Sequence, residues 1–221
     1  VNHLARRVED GARMDWLLVE DLWVGTIPMR VFSPAADDPL RPGARPAILF
    51  LTGHQDMTDS LLDDYDTRAF LAAGYTVVTI EARADDASSV ESWVSQTLLV
   101  SGFTFLGLRV YEALVGLRVM QSMPGLDPTR LGLLGHSGGG SVVNTTVRLH
   151  PSFAAAITDH HTDYFNVADD RWVLCETVFD LIPYSDQISD PSTAPMPMKR
   201  VEYGWPHGAG PLVAFFDRHL N

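Results

Sequence analysis

Arg130-Leu131-Gly132-Leu133-Leu134-Gly135-His136-Ser137-Gly138-Gly139-Gly140-Ser141-Val142-Val143 is the stretch whose reading decides the fold. Leu131 to Leu134 is apolar and short enough for a buried strand, and Ser141 to Leu149 is long enough to begin a helix. Between them Gly135-His136-Ser137-Gly138-Gly139 spells G-x-S-x-G. In such a turn the serine takes a strained backbone conformation that lifts its hydroxyl out at the strand's end. The flanking glycines avoid a collision of side chains with the strand or the helix. The free N–H groups of the helix that follows face the same spot, which favours a developing oxyanion. A glycine-rich strand-to-helix turn with an incidental serine has the same five letters, so the rest of the chain must decide.

Outward from that turn, the chain alternates. Trp16 to Val24 and Ile27 to Phe32 read as strands joined at Gly25-Thr26. Asp37 to Pro46 reads as a surface loop, and Ala47 to Leu51 as a strand covered on both faces. Leu61 to Ala73 has helical spacing and stops at Gly74, and Tyr75 to Ile80 is a further buried strand. Ala82 to Glu91 is polar and reads as a loop; Phe103 to Met123 reads as one long helix. After the glycine turn come a strand, Phe153 to Thr158, an irregular stretch, Asp163 to Pro197, a last strand, Met198 to Trp205, and a helix from Pro211 to Leu220. Strands alternating with helices predict an α/β fold, one domain over 1–221, with a mostly parallel sheet and helices on both faces. In such sheets the ligand site gathers at the carboxyl ends of the strands. Thr52-Gly53-His54-Gln55, Ser137, Asp159-His160-His161 and Pro206-His207-Gly208 all fall just beyond those ends.

Composition excludes several functions. The net charge of −12 argues against nucleic acid, whose phosphates need a basic surface, and no apolar run is long enough to span a bilayer. One cysteine, Cys175, permits no internal disulfide and reads as a buried structural thiol. The opening residues lack both an initiator methionine and a signal-like apolar core. The expectation is a removed leader or a trimmed chain, which leaves the compartment open.

Ser137 needs a base, because an unassisted hydroxyl is a weak nucleophile. His207, in a Gly/Pro-bounded loop between the last strand and the last helix, is the candidate. The Gly138 amide, directly after the serine, supplies one oxyanion donor, and the His54 amide after the Ala47–Leu51 strand is the natural second. Asp159, His160, His161 and Asp163 make a poor metal cluster, because neighbouring histidines on an extended segment point to opposite sides. The acidic run Asp56, Asp59, Asp63, Asp64 and Asp66 suits a helix start and calls for no further role. Trp93, Phe103, Trp172 and Tyr184 read mainly as packing aromatics, with one or two left to line a pocket.

From about Trp16 to Leu220 these features resemble the α/β-hydrolase superfamily. Gly102-Phe103-Thr104-Phe105-Leu106-Gly107 with the helix after it, Asp127-Pro128-Thr129-Arg130, and the glycine turn are similar to the branch of acetyl-xylan esterases and dienelactone-hydrolase-like proteins. The resemblance implies Ser137 as nucleophile and His207 as general base. It also implies an acid after the next-to-last strand, and here the chain departs from the pattern. An apolar strand ending in Gly-x-x-Asp is missing, so the fold is expected to be shortened near its C-terminal strands. Asp159, directly after Ile157-Thr158, stands where a displaced acid would stand. Asp180, after Val173 to Phe179, is the alternative, and Asp163 the third. The reaction that follows is hydrolysis of small, short-acyl carboxylic esters without metal or organic cofactor. Deacetylation, lactone opening or peptidase action by the same triad, and a non-catalytic ligand-binding protein, are the alternatives. Dienelactone hydrolases carry cysteine at this turn, so Ser137 argues against that activity. A missing strand leaves a sheet edge open to a second copy, so a homodimer is also an expectation.

Overall fold

Ala47 to Leu51, an unbroken apolar run, and Thr76 to Ile80, buried along its whole length, lie side by side in the middle of the sheet. The protein is described here from a computed structural model covering residues 1–53, 61–81, 88–159, 191–201 and 208–221. Along the chain come β1 (Asn2–Glu9), β2 (Ala12–Asp21), β3 (Gly25–Pro34), β4 (Arg45–Leu51), α1 (Leu61–Asp64), α2 (Thr67–Ala72) and β5 (Thr76–Ile80). Then follow α3 (Ser88–Val100), α4 (Phe105–Ser122), β6 (Leu126–His136), α5 (Gly138–Leu149), β7 (Ala155–Asp159), β8 (Met198–Val201) and α6 (Gly210–Leu220). The described strands form one eight-stranded sheet in the order β1-β2-β3-β5-β4-β6-β7-β8. The first three are antiparallel, β3 also pairs antiparallel with β5, and from β5 to β8 every pairing is parallel.

Successive side chains of a strand leave opposite faces, so each parallel strand feeds two cores. Leu49, Leu51, Val78, Leu131, Leu133 and Ala156 meet α4 and α5 through Val110, Leu117, Met120, Val143 and Val147. Ile48, Phe50, Val77, Leu134 and Ile157 meet α1, α2 and α6 through Leu61, Phe70, Phe216 and Leu220. With both faces covered, these strands carry mostly apolar residues, and Ala47 to Leu51 reads as an unbroken apolar run.

Several expectations change. The sequence reading left Asn2 to Glu9 unassigned, yet they form β1, exposed along its whole length and joined to β2 through Asp10-Gly11, both at positive φ (47° and 78°). An Asp-Gly pair is a strong hairpin turn signal, but β1 lacks the apolar face that marks a strand. Turning to β2 and β3, their junction lies at Leu22 to Val24 and not at Gly25-Thr26. The Asp21 carboxylate accepts the Trp23 and Val24 amides at 2.8 and 3.1 Å, and this local turn outcompetes the glycine. Those two hydrogen bonds, with the Tyr111 hydroxyl, hold the Asp21 carboxyl below its ordinary pKa.

The helix expected over Leu61 to Ala73 is broken into α1 and α2 by Asp66, which sits in the left-handed region at φ 49°. The loop expected over Ala82 to Glu91 gives way at Ser88 to α3. Its serines read as loop, while Val94 and Leu98, one turn apart, are the apolar residues it half-buries. Trp93 and Phe103, read mainly as packing residues, are 68% and 66% exposed; Trp172 and Tyr184 lie outside the described residues. The long helix begins two residues late because the Thr104 hydroxyl caps it, accepting the Gly107 amide at 2.9 Å.

At the C-terminal side, β7 pairs directly with β8, Ala156 opposite Met198 and Asp159 opposite Val201. No described strand therefore lies between β7 and β8. Of the last strand expected over Met198 to Trp205, the described part is β8, and 202–207 lie outside the described residues. No single helix among the described residues is long and apolar enough to cross a membrane.

Candidate active site

Ser137 joins β6 to α5 at φ 50° and ψ −121°, a conformation that L-residues rarely hold. Such strain costs about 1–3 kcal/mol and persists only where the surroundings over-determine it. Here they do. The Ser137 amide donates to the Asp159 carbonyl at 3.1 Å, and the Ser137 carbonyl accepts the Gly140 amide at 2.8 Å. A Cβ on Gly135 would stand 2.3 Å from the Gly139 carbonyl oxygen, and one on Gly139 2.1 Å from that of Leu51. The glycines of G-x-S-x-G therefore let the first turn of α5 press against both its own strand and the exit of β4. That contact sets the first turn of α5, with Gly138 at its start, next to Thr52, whose carbonyl oxygen would stand 2.7 Å from a Cβ on Gly139. His54, the other expected oxyanion donor, lies outside the described residues.

The register carries the rest of the convergence. Leu51 pairs with Gly135, His136 with Asp159, and Asp159 with Val201, so four parallel strands end level at one sheet edge. Asp159 is fully buried there, and its Oδ2 stands 2.5 Å from Nδ1 of His136. The His136 ring lies 5.1 Å from the Tyr65 ring, which meets Phe50 edge-on at 5.3 Å.

The sequence reading gave His136 no role. The parallel register puts it directly opposite Asp159 on the same face, a relation that exists only once β6 and β7 are paired. The structure thus brings together Ser137, Gly138 and Asp159, and adds His136. His207, Asp163 and Asp180 lie outside the described residues, as do His160, His161 and Cys175. Among the described residues no three His, Cys, Asp or Glu side chains gather as a metal site.

His136→Phe keeps an aromatic ring beside Tyr65 but removes the donor to a buried carboxylate. Stability is expected to fall by about 1–3 kcal/mol, read as a lower urea midpoint at unchanged slope. His136→Asn, which can still donate, is expected to lose less.

No family model matches the chain. A curated Bacillus subtilis (strain 168) protein described as "Putative hydrolase YtaP" is 28% identical over 137 residues, which cover 54% of this chain and 46% of the relative. The chain spans about half the length of that relative. Among solved structures, an acetyl xylan esterase from Paenibacillus sp. R4 superposes with a TM-score of 0.70 at 12% identity, covering 99% of this chain and 88% of the other. The chain has the α/β-hydrolase fold. A cold-adapted esterase from an Arctic intertidal metagenomic library has that fold over the full length of both chains, with a TM-score of 0.63 at 13% identity. At these identities the likeness concerns architecture. Within that fold Ser137 stands at the β6–α5 turn, and its chemistry has to be argued from the residues themselves.

Proposed function

We propose that this chain is a serine hydrolase of small, short-acyl carboxylic esters. The observation that carries the reading is the positive φ of Ser137 at the mouth of α5: a binding module has no need of a strained serine. In the proposed reaction Ser137 Oγ attacks the ester carbonyl carbon while His207 accepts the hydroxyl proton. The Gly138 and His54 amides hold the resulting oxyanion. The tetrahedral intermediate expels the alcohol, which takes the proton from His207. Water, deprotonated by His207, then cleaves the acyl-enzyme and releases the carboxylic acid and free Ser137.

Asp159 is the proposed acid, holding the His207 tautomer and stabilising its charged form. Its burial level with the serine turn supports this role. The direct β7–β8 pairing also favours it over Asp180, since a strand ending in Asp180 has no place between those two. Asp163 is four residues beyond the strand end and has no such support. The alcohol and acyl groups are proposed to be small because, among the described residues, no long insertion separates one core element from the next.

A fluorophosphonate probe with a series of p-nitrophenyl esters tests the reading. Rapid labelling at Ser137 and turnover restricted to short acyl chains are expected. Failure of the wild type both to label and to turn over any ester would move the assignment to a ligand-binding protein.

A further inference from the structure

We propose that Asp66, at the break between α1 and α2, is a positioning residue for the segment that carries His207. The proposal rests on His207 being the general base argued above. Asp66 occupies the N-cap of α2 at φ 49° and ψ 35°, yet its side chain makes no capping bond to that helix. An aspartate at an N-cap ordinarily accepts an amide of its own first turn. Here Oδ2 instead accepts the amide of Ala209 at 3.1 Å, a partner 143 residues away. Ala209 is buried and is the N-cap of α6, its carbonyl accepting the amides of Leu212 and Val213, both at 2.9 Å.

His207 precedes Ala209 by two residues, with Gly208 between them at φ 72°. A Cβ on Gly208 would stand 3.5 Å from the same Asp66 oxygen. The carboxylate thus grips the chain where it leaves the His207 segment and enters a helix whose positive end favours it. Tyr65, the adjacent residue, rests on the ring of His136, which is bonded to Asp159. One break in the helical run therefore touches the residue beside Ser137 and, through Asp66, the exit of the base segment. A left-handed, non-glycine residue whose carboxylate is turned away from its own helix is strain directed at that contact.

The test uses the full chain with p-nitrophenyl acetate and the fluorophosphonate probe, comparing wild type, Asp66→Gly, Asp66→Asn, Ser137→Ala and His207→Ala. Glycine relieves the positive φ, so Asp66→Gly folds without the strain but lacks the acceptor. Asparagine tolerates the left-handed region and keeps an oxygen for the Ala209 amide. Asp66→Gly is expected to lower kcat about fivefold, the factor that loss of one capping bond implies, with KM within about twofold of wild type. Labelling of Ser137 is expected to slow by a similar factor, and Asp66→Asn to restore both. A purely structural Asp66 predicts full kcat and labelling in Asp66→Gly; that result, with Ser137→Ala and His207→Ala inactive, overturns the proposal and leaves the ester hydrolase standing. Turnover surviving in His207→Ala overturns the assignment of the base, and the proposal with it.

Discussion

Ser137→Ala is expected to lower turnover of p-nitrophenyl acetate by at least about 10⁴-fold, with KM little changed, because it removes the proposed nucleophile. The residual rate would come from the oxyanion donors and from binding alone. Stability is expected to hold, since the Ser137 side chain makes no capping bond to α5 and alanine keeps the same backbone strain. A companion variant sharpens the point. Ser137→Gly removes the nucleophile and relieves the positive φ of 50° together, so it is expected to be inactive and more stable by about 1 kcal/mol. Opposite signs for activity and stability at one position mark a residue held under strain for its chemistry, a trade common at functional sites. Kinetics on the ester and urea denaturation of both variants measure it.

The second large effect is on the fold. Gly139→Ala places a Cβ 2.1 Å from the Leu51 carbonyl oxygen and 2.6 Å from its carbon, and neither end of that contact is a side chain that can turn aside. Backbone has to move, either at the exit of β4 or in the first turn of α5. A loss of about 3–5 kcal/mol is expected, the range of severe overpacking, together with a loss of the proposed ester turnover as the exit of β4 and the first turn of α5 separate. Gly210→Ala is the control: at the start of α6 no described residue lies within 4 Å of the added Cβ. It is expected to be neutral or stabilising by up to about 1 kcal/mol, because it reduces the freedom of the unfolded chain. Equal urea midpoints for the two variants would remove the close-approach argument for the G-x-S-x-G glycines.

What was legible in advance is legible for physical reasons that act over a few residues. Ala47 to Leu51, Tyr75 to Ile80 and Phe153 to Thr158 read as strands because a segment buried on two faces has little place for charge. Gly135-His136-Ser137-Gly138-Gly139 marks the serine turn because only that spacing of glycines lets strand and helix meet. The lack of an apolar strand ending in Gly-x-x-Asp after Phe153 to Thr158 agrees with the direct pairing of β7 and β8. The misreadings have local causes as well: β1 lacks an apolar face, α3 is masked by its serines, and Asp21 forms its own turn three residues before the expected one.

Tertiary structure alone decided three things. Asp66 carries the composition of an ordinary helix start, and only the arrival of α6 beside it gives its carboxylate the Ala209 amide as a partner. His136 is an unremarked letter in the serine turn until β7 pairs in register and sets Asp159 against its ring. Gly139 is generic until β4 delivers the Leu51 carbonyl to within 2.1 Å of where its Cβ would be. Each of these depends on a partner tens of residues distant or more. Local sequence specifies what a segment can become; which strand ends stand level, and which side chains therefore meet, is set by hydrogen-bond register between strands that the linear order does not contain.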